Sequence, residues 1–556
     1  MLKQKNNLIY IALTLAGLII LNLISSHVYK RFDLTKDKRY TLSDATRRLV
    51  EQIESPLIID VFLEGDFPSE FRILQSETRQ MIEEFSLINP LIKVNYIDPL
   101  EDEANRDRII QQLTQSGLEP FVSSSKTSGK VTQELIFPWA FASCIDETVS
   151  ISLLKKDLTS DLKTQISNSV QHLEYAFADG FSKVINDKSK VVAVLKGNGQ
   201  LNDIYIADFL RTLQPYYNIA PFTLDSVSVD TQGTLDNLKT YDLIISAKPT
   251  EAFTENEKLV LDQYTMNGGK SLWLTESIIM DRDSLYNDEG RSVSVMRDLN
   301  LNDFFFKYGV RINPSLVKDL FSAPITIAIG EGSQAQFQPV QWQYSSLAAS
   351  NPDHPISNNL NLVKYDFASP IDTLKNKTTK TVLLQSSPQS KIEGPLTEIT
   401  LASVTKPPDE STYTAGPQHL AVLLEGQLQS VYDKRILPFK VNNFKNSTTD
   451  AKMIVISDGD VIKNAIARNQ PLELGFDRFT GQKYGNKEFL LNAVNYLLDD
   501  SGLMNIRSKE IAVAYLDSDN VETEKTKWQL INIALPLVLL GIFGYLFNYF
   551  RKKKYT

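Results

Sequence analysis

The residues that could carry out chemistry are few and lie far apart in the chain. Cys144 is the single cysteine among 556 residues, so neither an intramolecular disulfide nor a cysteine-based zinc site can form. It lies in the apolar segment FASCI, which indicates a buried, inert thiol rather than a nucleophile. His172 has no second ligand beside it at metal-binding spacing, and we expect it to pack or to face solvent.

Two segments resemble parts of nucleotide or hydrolase sites, and each lacks a required residue. The sequence KGNGQ, residues 196–200, follows an apolar strand but lacks the third glycine of G-x-G-x-x-G and the Lys-Ser/Thr pair of a phosphate-binding loop. We therefore predict a tight strand-to-helix turn there. Ser246 would need a G-x-S-x-G elbow to act as a nucleophile, and that motif is absent.

Two further segments combine turn-forming residues with possible ligands. Asp458 and Asp460 in SDGD could hold a cation, although a solvated turn is the simpler interpretation. His354 lies in NPDHPIS, where proline, asparagine and aspartate indicate a structural turn. A hydrolase that uses His354, His419, Asp458 or Asp460 stays open as an alternative.

The elements expected to position these residues begin with a thioredoxin-like α/β unit. Strands and helices alternate in its first half, as they do in a parallel sheet. No cysteine follows the first strand, so thiol redox chemistry is excluded. The predicted elements are a helix from Ser43 or Asp44 to Ile53, strands over 57–63, 92–97, 133–144 and 148–153, and helices over 70–87, 106–113 and 161–185.

A second unit opens at Lys190 with β-α-β-α-β order. This order resembles the flavodoxin-type sheet of class I glutamine amidotransferases, without their cysteine nucleophile. Between residues 281 and 450 short strands replace helices, which predicts a β-rich insertion. The other predicted elements are strands over 191–195, 242–246, 271–275 and 452–458, and helices over 204–213, 258–266 (capped by Thr254 with Glu257) and 486–498.

Two uncharged runs predict membrane spans. Residues 528–550 are long enough to cross about 30 Å of hydrocarbon. The cations Arg551, Lys552, Lys553 and Lys554 follow directly, and the positive-inside rule places them in the cytoplasm. The run from Leu8 to Ile24 is longer than a usual signal-peptide core and lacks an A-x-A site, which favours a retained span over a cleaved signal.

The charge balance and the two spans together predict where the body lies. Acidic residues outnumber basic ones by 67 to 58, and residues 30–527 carry about −15 because Lys3, Lys5 and the C-terminal cations lie outside them. Nucleic acid is therefore not an expected partner. We predict a two-pass protein of the cytoplasmic (inner) membrane, with both termini cytoplasmic and a large periplasmic or extracytoplasmic body.

The expected fold class is α/β, in two domains flanked by two transmembrane helices. The expected parts are an N-terminal anchor (1–29), a thioredoxin-like domain (30–187), an amidotransferase-like domain (188–500) with a β-rich insertion (about 281–450), a juxtamembrane segment (501–527), a transmembrane helix (528–550) and a basic tail (551–556).

The ordered set of motifs resembles the gliding-motility-associated GldG family over essentially the whole chain. The segments that carry the resemblance are RFDLTKDKRYTLS after the first run, then GNGQ, NGGK, FQPVQWQY, NPDHPIS and RSKEIAVAYLDSDNVETEKTKWQLINIALP. Members of that family are auxiliary, so-called substrate-binding components of ABC transporters. They work beside an ABC-2-type permease and a separate ATPase. The resemblance implies a non-enzymatic subunit.

The expected functional surface is formed by the spans and their flanks. Gly17 on the first span, and Gly541 and Gly544 on the second, offer close-approach surfaces for a permease. Trp528 and Tyr545 would lie at the two headgroup levels. We expect no catalytic residue, metal or cofactor, and no ATP-binding motif is present, so energy would come from another chain. A membrane-tethered hydrolase and a surface-polymer-binding adhesin are the alternatives.

Overall fold

The computed structural model describes residues 13–19, 22, 41–65, 67–127, 130–158, 160–329, 336–509 and 518–555. The chain divides into two compact units, residues 1–510 and residues 511–556. The expected first span, Leu8 to Ile24, falls largely outside the described residues, although residues 13–19 and 22 within it are helical. The larger unit from residue 41 to residue 509 is called the body here.

A four-stranded mixed sheet forms the first part of the body. Its order is β2-β1-β5-β6, in which β1 and β2 are parallel and the other neighbours are antiparallel. Helices α2 and α4 pack on each other and against this sheet. The elements are α1 (Asp44–Glu51), β1 (Leu57–Val61), α2 (Ser69–Ile88), β2 (Ile92–Tyr96), α3 (Arg106–Gln115), β3 (Phe121–Thr127), β4 (Lys130–Ile136), β5 (Trp139–Cys144), β6 (Glu147–Ser152) and α4 (Leu162–Ile185).

Local sequence signals explain most of these boundaries. The side chains of Ser43 and Asp161 cap α1 and α4 by accepting hydrogen bonds from backbone N–H groups, and Ser43 was one of the two predicted caps of α1. The strand predicted over 133–144 is in fact two strands, β4 and β5, separated at Phe137 and Pro138. Proline has no N–H to donate to a neighbouring strand, which explains the break. The β3–β4 hairpin, a separate two-stranded sheet, was not predicted.

A ten-stranded sheet forms the second part of the body. Its order is β16-β17-β20-β23-β24-β10-β9-β7-β8, with β18 paired to β17. The strands from β24 to β8 are parallel, and those from β24 to β16 are antiparallel. The elements of the parallel half are β7 (Val191–Lys196), α5 (Asp203–Leu213), β8 (Asn218–Thr223), α6 (Thr231–Leu238), β9 (Leu243–Ala247), α7 (Glu255–Met266), β10 (Lys270–Leu274), β24 (Ser447–Ile456) and α9 (Asn486–Leu498).

The region predicted as a β-rich insertion joins this same sheet, because β16, β17, β20 and β23 extend it beyond β24. It also contains a helix, α8, which was not predicted. The elements are β11 (Ile278–Ile279), β12 (Arg291–Val293), β13 (Val295–Met296), α8 (Asn302–Tyr308), β14 (Val310–Ile312), β15 (Leu316–Asp319), β16 (Ser322–Ile329), β17 (Gln336–Ser350), β18 (Val363–Lys364), β19 (Ile371–Thr373), β20 (Thr378–Gln385), β21 (Ser390–Glu393), β22 (Glu398–Thr400) and β23 (His419–Gln429). Two short strands, β25 (Ile466–Ala467) and β26 (Gln470–Pro471), follow β24.

The large sheet is buried on both faces. Strand β7 alternates, with Val192 and Val194 in the core that includes α5 and α9, and Ala193 and Leu195 in the core that includes α6, α7 and α8. All five residues of β9 are buried. Parallel strands covered by helices on both faces are expected to be apolar throughout, and the run LIISA fits this except for its serine.

Buried ion pairs join the two parts of the body. Lys155, which follows β6, lies 2.6 Å from the carboxylate of Glu488 on α9. Arg507 lies 3.0 Å from the same carboxylate and donates to the backbone carbonyls of Pro355 and Asn358. Burial raises the pKa of Glu488, but Lys155 and Arg507 more than offset this and lower it to about 2. The two parts are therefore cross-linked by charge as well as by packing.

The first and last described residues of the body meet at Glu174. This α4 carboxylate is only 1% exposed and accepts hydrogen bonds from the Ser43 backbone N–H at 2.7 Å and from the Thr46 hydroxyl at 2.8 Å. Lys509 Nζ lies 2.8 Å from its other oxygen and 2.8 Å from the carbonyl oxygen of Thr41. We call this set of contacts the Glu174 clamp. It fixes residues 41–46 beside residue 509.

The described residues of the second unit form one helix, α10 (Ser518–Tyr555). Its segment Thr523–Lys553 has the length and apolar composition of a membrane span, and none of its most apolar window is buried within the chain. Among the described residues this is the one helix with these properties. Pro536 lies inside it. The predicted C-terminal helix is thus confirmed, while the crossing of a membrane stays a prediction.

Candidate functional site

The central parallel strands β9, β10 and β24 all end at one edge of the large sheet. Lys248 directly follows β9, Glu276 follows β10, and Asp458 follows β24. Ligand sites in open α/β sheets lie at this carboxyl edge. The edge brings together residues that are distant in sequence, such as Lys248 and Asp460, which are 212 positions apart. This region is therefore our candidate site.

Lys248 lies at the centre of a carboxylate cluster. Its side chain is 5% exposed, and its Nζ lies 3.0 Å from Glu276, 2.8 Å from Asp460 and within hydrogen-bond distance of Asp281. Burial lowers the pKa of Lys248, but Asp460, Glu276 and Asp281 more than offset this and raise it. The ammonium group is therefore charged at physiological pH and neutralises the carboxylates around it.

The backbone at Lys248 is also unusual, because its φ of 53° lies in the left-handed region that non-glycine side chains rarely adopt. It occupies the strand-to-helix turn where the sequence suggested Ser246 as a candidate. Ser246 itself is fully buried within β9 and accepts a hydrogen bond from Gln200 Nε2 at 3.1 Å. The strained position at this turn thus carries a cation rather than a nucleophile.

Glu276 and Asp458 bind protons more tightly than exposed carboxyl groups do. Burial raises the pKa of Glu276 to about 7 despite the attraction of Lys248. Burial and the nearby Asp460 and Glu276 carboxylates raise the pKa of Asp458, while the N–H of Asp460 opposes this at 2.7 Å. Two neighbouring carboxyl groups with raised pKa values could exchange protons with a bound molecule.

Asp458 and Asp460 are the cation-binding candidates from the sequence, and the structure adds Glu276 to them. Glu276, Asp458 and Asp460 each offer an oxygen, and these oxygens lie within 4.8 Å of one another. However, Lys248 Nζ already lies between two of them, so the cluster contains its own cation. The interpretation of SDGD as a solvated turn is wrong, because Asp458 is fully buried and caps a short 3₁₀ helix, Gly459–Ile462. The fold encloses this turn beneath the sheet edge.

A cleft of about 620 Å³ opens beside the cluster. Asp366 lies on its wall and forms hydrogen bonds of 2.7 and 2.8 Å with Arg282 Nη2. Lys364 Nζ lies 3.7 Å from Asp366, and Lys463 Nζ lies 3.7 Å from Asp460. Burial raises the pKa of Asp366, but Arg282 and Lys364 more than offset this and lower it to about 2. Other residues that line the cleft are Tyr205, Tyr286, Phe479, Tyr484 and Asn486.

The glycine-rich turn after β7 has a bracing role. Gly197, Asn198 and Gly199 all have positive φ, as expected of the tight turn that was predicted. An added Cβ at Gly199 would collide with the Thr250 side chain, which hydrogen-bonds to the Gly199 carbonyl. Gln200, directly after these glycines, bonds Ser246 and the Ala247 N–H. The turn therefore holds β9 in place.

The other candidates from the sequence lie outside this cluster. His354 lies in a turn against the Tyr496 ring, and burial lowers its pKa to about 4. His419 is the first residue of β23. In the described part of the chain neither histidine hydrogen-bonds to Asp458 or Asp460, so the four residues do not form one constellation. Cys144 is buried, as predicted.

The residues predicted to contact a permease lie on the N-terminal segment and on α10. Trp528 and Tyr545 are 54% and 73% exposed, and no atom lies near a Cβ added at Gly17, Gly541 or Gly544. The side chains of Arg551, Lys552 and Lys553 are exposed, and that of Lys554 is outside the described set. These positions are open for contact with lipid or protein, and contact with a permease stays a prediction.

Sequence reasoning did not identify most of the cluster and cleft. The residues missed are Lys248, Glu276, Asp281, Arg282, Lys364, Asp366 and Lys463. A usable signal existed for two of them, because Lys248 and Glu276 follow predicted strands of a parallel sheet and charged residues at those ends converge. Lys364 ends the short strand β18 and Asp366 follows it, and no pattern in the sequence indicates where this strand lies.

Comparison with known proteins gives matches over most of the chain. Residues 189–493 match the ABC transporter auxiliary family model, described as an ABC-type uncharacterized transport system, and residues 36–143 match a domain of unknown function. An uncharacterized protein of Borreliella burgdorferi is 23% identical over 551 residues, which cover 98% of this chain and 97% of that protein. Among solved structures, the mmIFT52 N-terminal domain is similar at 12% sequence identity and a TM-score of 0.32. The alignment covers 56% of this chain and 99% of that domain.

Proposed function

We propose that this chain, which belongs to the ABC transporter auxiliary family, is a non-enzymatic subunit anchored in the cytoplasmic membrane beside an ABC-2-type permease and a separate ATPase. The observation that carries the proposal is helix α10. In its apolar segment Thr523–Lys553, no residue of the most apolar 18-residue stretch is buried against the rest of the chain. Burying such a surface in lipid or against another membrane helix is strongly favourable. Membership in a transport-system family makes the other transporter components the natural partners.

The proposed topology has two spans and an outward-facing body. The basic residues after α10 favour a cytoplasmic C-terminus. The Glu174 clamp supports two spans, because it holds Thr41 beside Lys509. The two ends of the body therefore leave it at neighbouring positions. Such proximity suits a body tethered through both ends to the same membrane. The body then lies in the periplasm or an equivalent extracytoplasmic space.

The finer family assignment is also part of the proposal. The motifs KRYTLS, GNGQ, NGGK and NPDHPIS support a GldG-like protein linked to gliding motility. The order β2-β1-β5-β6, with one parallel pair, supports a thioredoxin-like class for the first sheet. Five parallel strands with helices on both faces support an amidotransferase-like class for the second. In this proposal neither sheet carries the chemistry of its class.

Site-specific photo-crosslinking in native membranes tests this function. A photoreactive residue at Gly541 or Gly544, which lie three positions apart on one side of α10, should crosslink to the permease. The matched control is Leu539, on the opposite side of the helix at 3.6 residues per turn, and it should crosslink mainly to lipid. Replacement of residues 528–550 by polyleucine should abolish copurification with the permease. Undiminished copurification of that variant would refute the proposal.

A membrane-tethered hydrolase is a second candidate, favoured by one observation. Glu276, with a pKa of about 7, and the strained Lys248 lie at the carboxyl edge where such enzymes hold their substrates. This candidate predicts that Glu276→Gln or Asp458→Asn abolishes the cellular function while copurification with the permease is kept. Our primary proposal predicts that both are kept. An adhesin would instead crosslink to surface polymer through its body.

A further inference from the structure

We propose that the cleft binds a small organic anion, with its carboxylate or phosphate group on the floor formed by Arg282, Lys364 and Lys463 and its apolar or ring portion against the aromatic side chains of the wall. This inference rests on the proposed function, since it names the class of ligand that the auxiliary subunit would hold. Four observations support it: the charge of the floor, the hydrogen-bonding capacity of the floor, the helix that begins there, and the shape of the cleft.

The charge of the floor favours an anion. Arg282, Lys364 and Lys463 face two carboxylates, Asp366 and Asp460, so one positive charge remains in excess. Asp460 also pairs with Lys248, which lies 2.8 Å from its carboxylate and does not line the cleft. The lining as a whole carries four cations and four carboxylates, because Asp283, Asp477 and Arg478 also line the cleft. The excess positive charge is therefore local to Arg282, Lys364 and Lys463, and a ligand with one negative group would pair with it there.

The floor also has more hydrogen-bond donors than acceptors. The buried Nε of Arg282 has no hydrogen-bond partner among the described residues. Lys364 and Lys463 each lie 3.7 Å from their carboxylate partners, which is longer than a normal hydrogen bond. Burial lowers the pKa of Lys364 more than Asp366 restores it, so this ammonium lacks part of the stabilisation that water would give. An oxyanion in the cleft would satisfy the two ammonium groups, whereas the Arg282 Nε is closed off from the cleft.

A helix N-terminus lies at the same place. Asn486 lines the cleft and is the first residue of the 13-residue helix α9. Its side chain exchanges hydrogen bonds with the backbone of Lys364, at 3.0 Å and 2.8 Å, and so fixes the lysine against the helix start. The partial positive charge of a helix N-terminus adds to that of the side chains. Two independent sources of positive potential thus converge on the floor.

The shape and walls define the remainder of the ligand. A volume of about 620 Å³ is in the range of small-molecule sites. Tyr205, Tyr484 and Phe479 line it, and Lys463 and Lys364 lie 5.5 and 5.8 Å from the Tyr205 and Tyr484 rings. Aromatic surface beside cationic groups suits an anion that carries a ring or a short apolar chain. The ligand class is therefore an organic carboxylate or phosphate monoester rather than an inorganic ion.

Binding of defined probes to the full-length protein in lipid nanodiscs tests this inference. Isothermal titration calorimetry would compare phenyl phosphate and benzoate with benzyl alcohol and benzylamine, which have the same ring without a negative charge. We expect phenyl phosphate, benzoate or both to bind at least about tenfold more tightly than benzyl alcohol and benzylamine do. The better anion identifies the group that the floor accepts.

Two substitutions locate the site. Lys364→Met and Lys463→Met should each weaken anion binding by about tenfold or more, because each removes a charged donor and keeps the side-chain length. Lys440→Met, at an exposed lysine outside the cleft, should leave it unchanged. The Lys463 side chain is 29% exposed, so its variant tests the site even if Lys364→Met disturbs folding.

The results separate this inference from the proposed function. Equal binding of all four probes, or anion binding that survives both lysine substitutions, would overturn the inference. If crosslinking to the permease is still found in native membranes, the proposed function would stand without this ligand. Loss of crosslinking with anion binding kept would overturn the proposed function and leave a ligand-binding protein of another role.

Discussion

Glu276→Gln should change how the stability of the protein depends on pH. The Glu276 side chain is 5% exposed, and burial raises its pKa from the ordinary 4.5 to about 7. A carboxyl group with a raised pKa keeps its proton in the folded state, so its contribution to stability is present at low pH and is lost as the pH rises through 7. From pH 5 to pH 8 this loss amounts to about 2.5 kcal/mol.

Glutamine cannot ionise, so the variant should not undergo this loss. The stability of Glu276→Gln relative to the wild type should therefore rise by about 2.5 kcal/mol between pH 5 and pH 8. With an unfolding entropy of about 1 kcal/mol/K for a body of this size, the corresponding relative shift in Tm is about 2 to 3 °C. Differential scanning calorimetry of the full chain at several pH values would measure it.

Glu473→Gln is the matched control. Burial raises the pKa of Glu473, but Lys483 and Lys487 more than offset this and lower it. Glu473 is therefore largely ionised in both the folded and the unfolded state above pH 5, and its variant should differ from the wild type by a nearly constant amount from pH 5 to pH 8. A constant difference for Glu276→Gln as well would refute the assignment of a raised pKa, and with it the proton-binding property of the cluster.

Three further substitutions test other parts of the fold. Glu174→Gln should lower the free energy of unfolding by about 2 to 4 kcal/mol, measured by chemical denaturation, because it leaves buried donors without a charged acceptor. His354→Asn should reduce the loss of stability, followed by Tm, as the pH falls from 6.5 towards 4, since burial lowers the pKa of His354 to about 4 and protonation then favours the unfolded state. Gly485→Ala should lower Tm, because its Cβ would collide with the backbone carbonyl of Asn361, whereas Gly394→Ala, with no atom near the added carbon, should leave it unchanged.

The local elements were largely predictable from the sequence. Helix caps at Ser43 and Thr254 were identified because short polar side chains before apolar periodic segments have a direct physical role. The bounds of α9 were predicted to the residue. In contrast, β8 was missed because NIAPFT contains a proline and is only partly buried, as an edge strand allows.

The arrangement of the elements, and so the cleft, was much less predictable. The strands between residues 281 and 450 gave correct local signals, but nothing local indicates that β23 pairs with β24 and continues the parallel half. The cleft combines residues after β10, near β18 and after β24, and its chemistry depends on pairings across the whole sheet. Lys248 was passed over because a lysine in a turn is ordinarily solvated, and only its burial gives it a role.

The Glu174 clamp has a consequence for the synthesis of the chain. Helix α4 is complete when residue 185 has left the ribosome, yet the cation that pairs with its buried carboxylate is supplied by residue 509. Until then Glu174 has only the Ser43 and Thr46 donors, and a buried carboxylate without its counter-charge is costly. The first sheet therefore cannot reach its final stability during translation of the second. The body closes only when its last residues emerge, shortly before α10 is made.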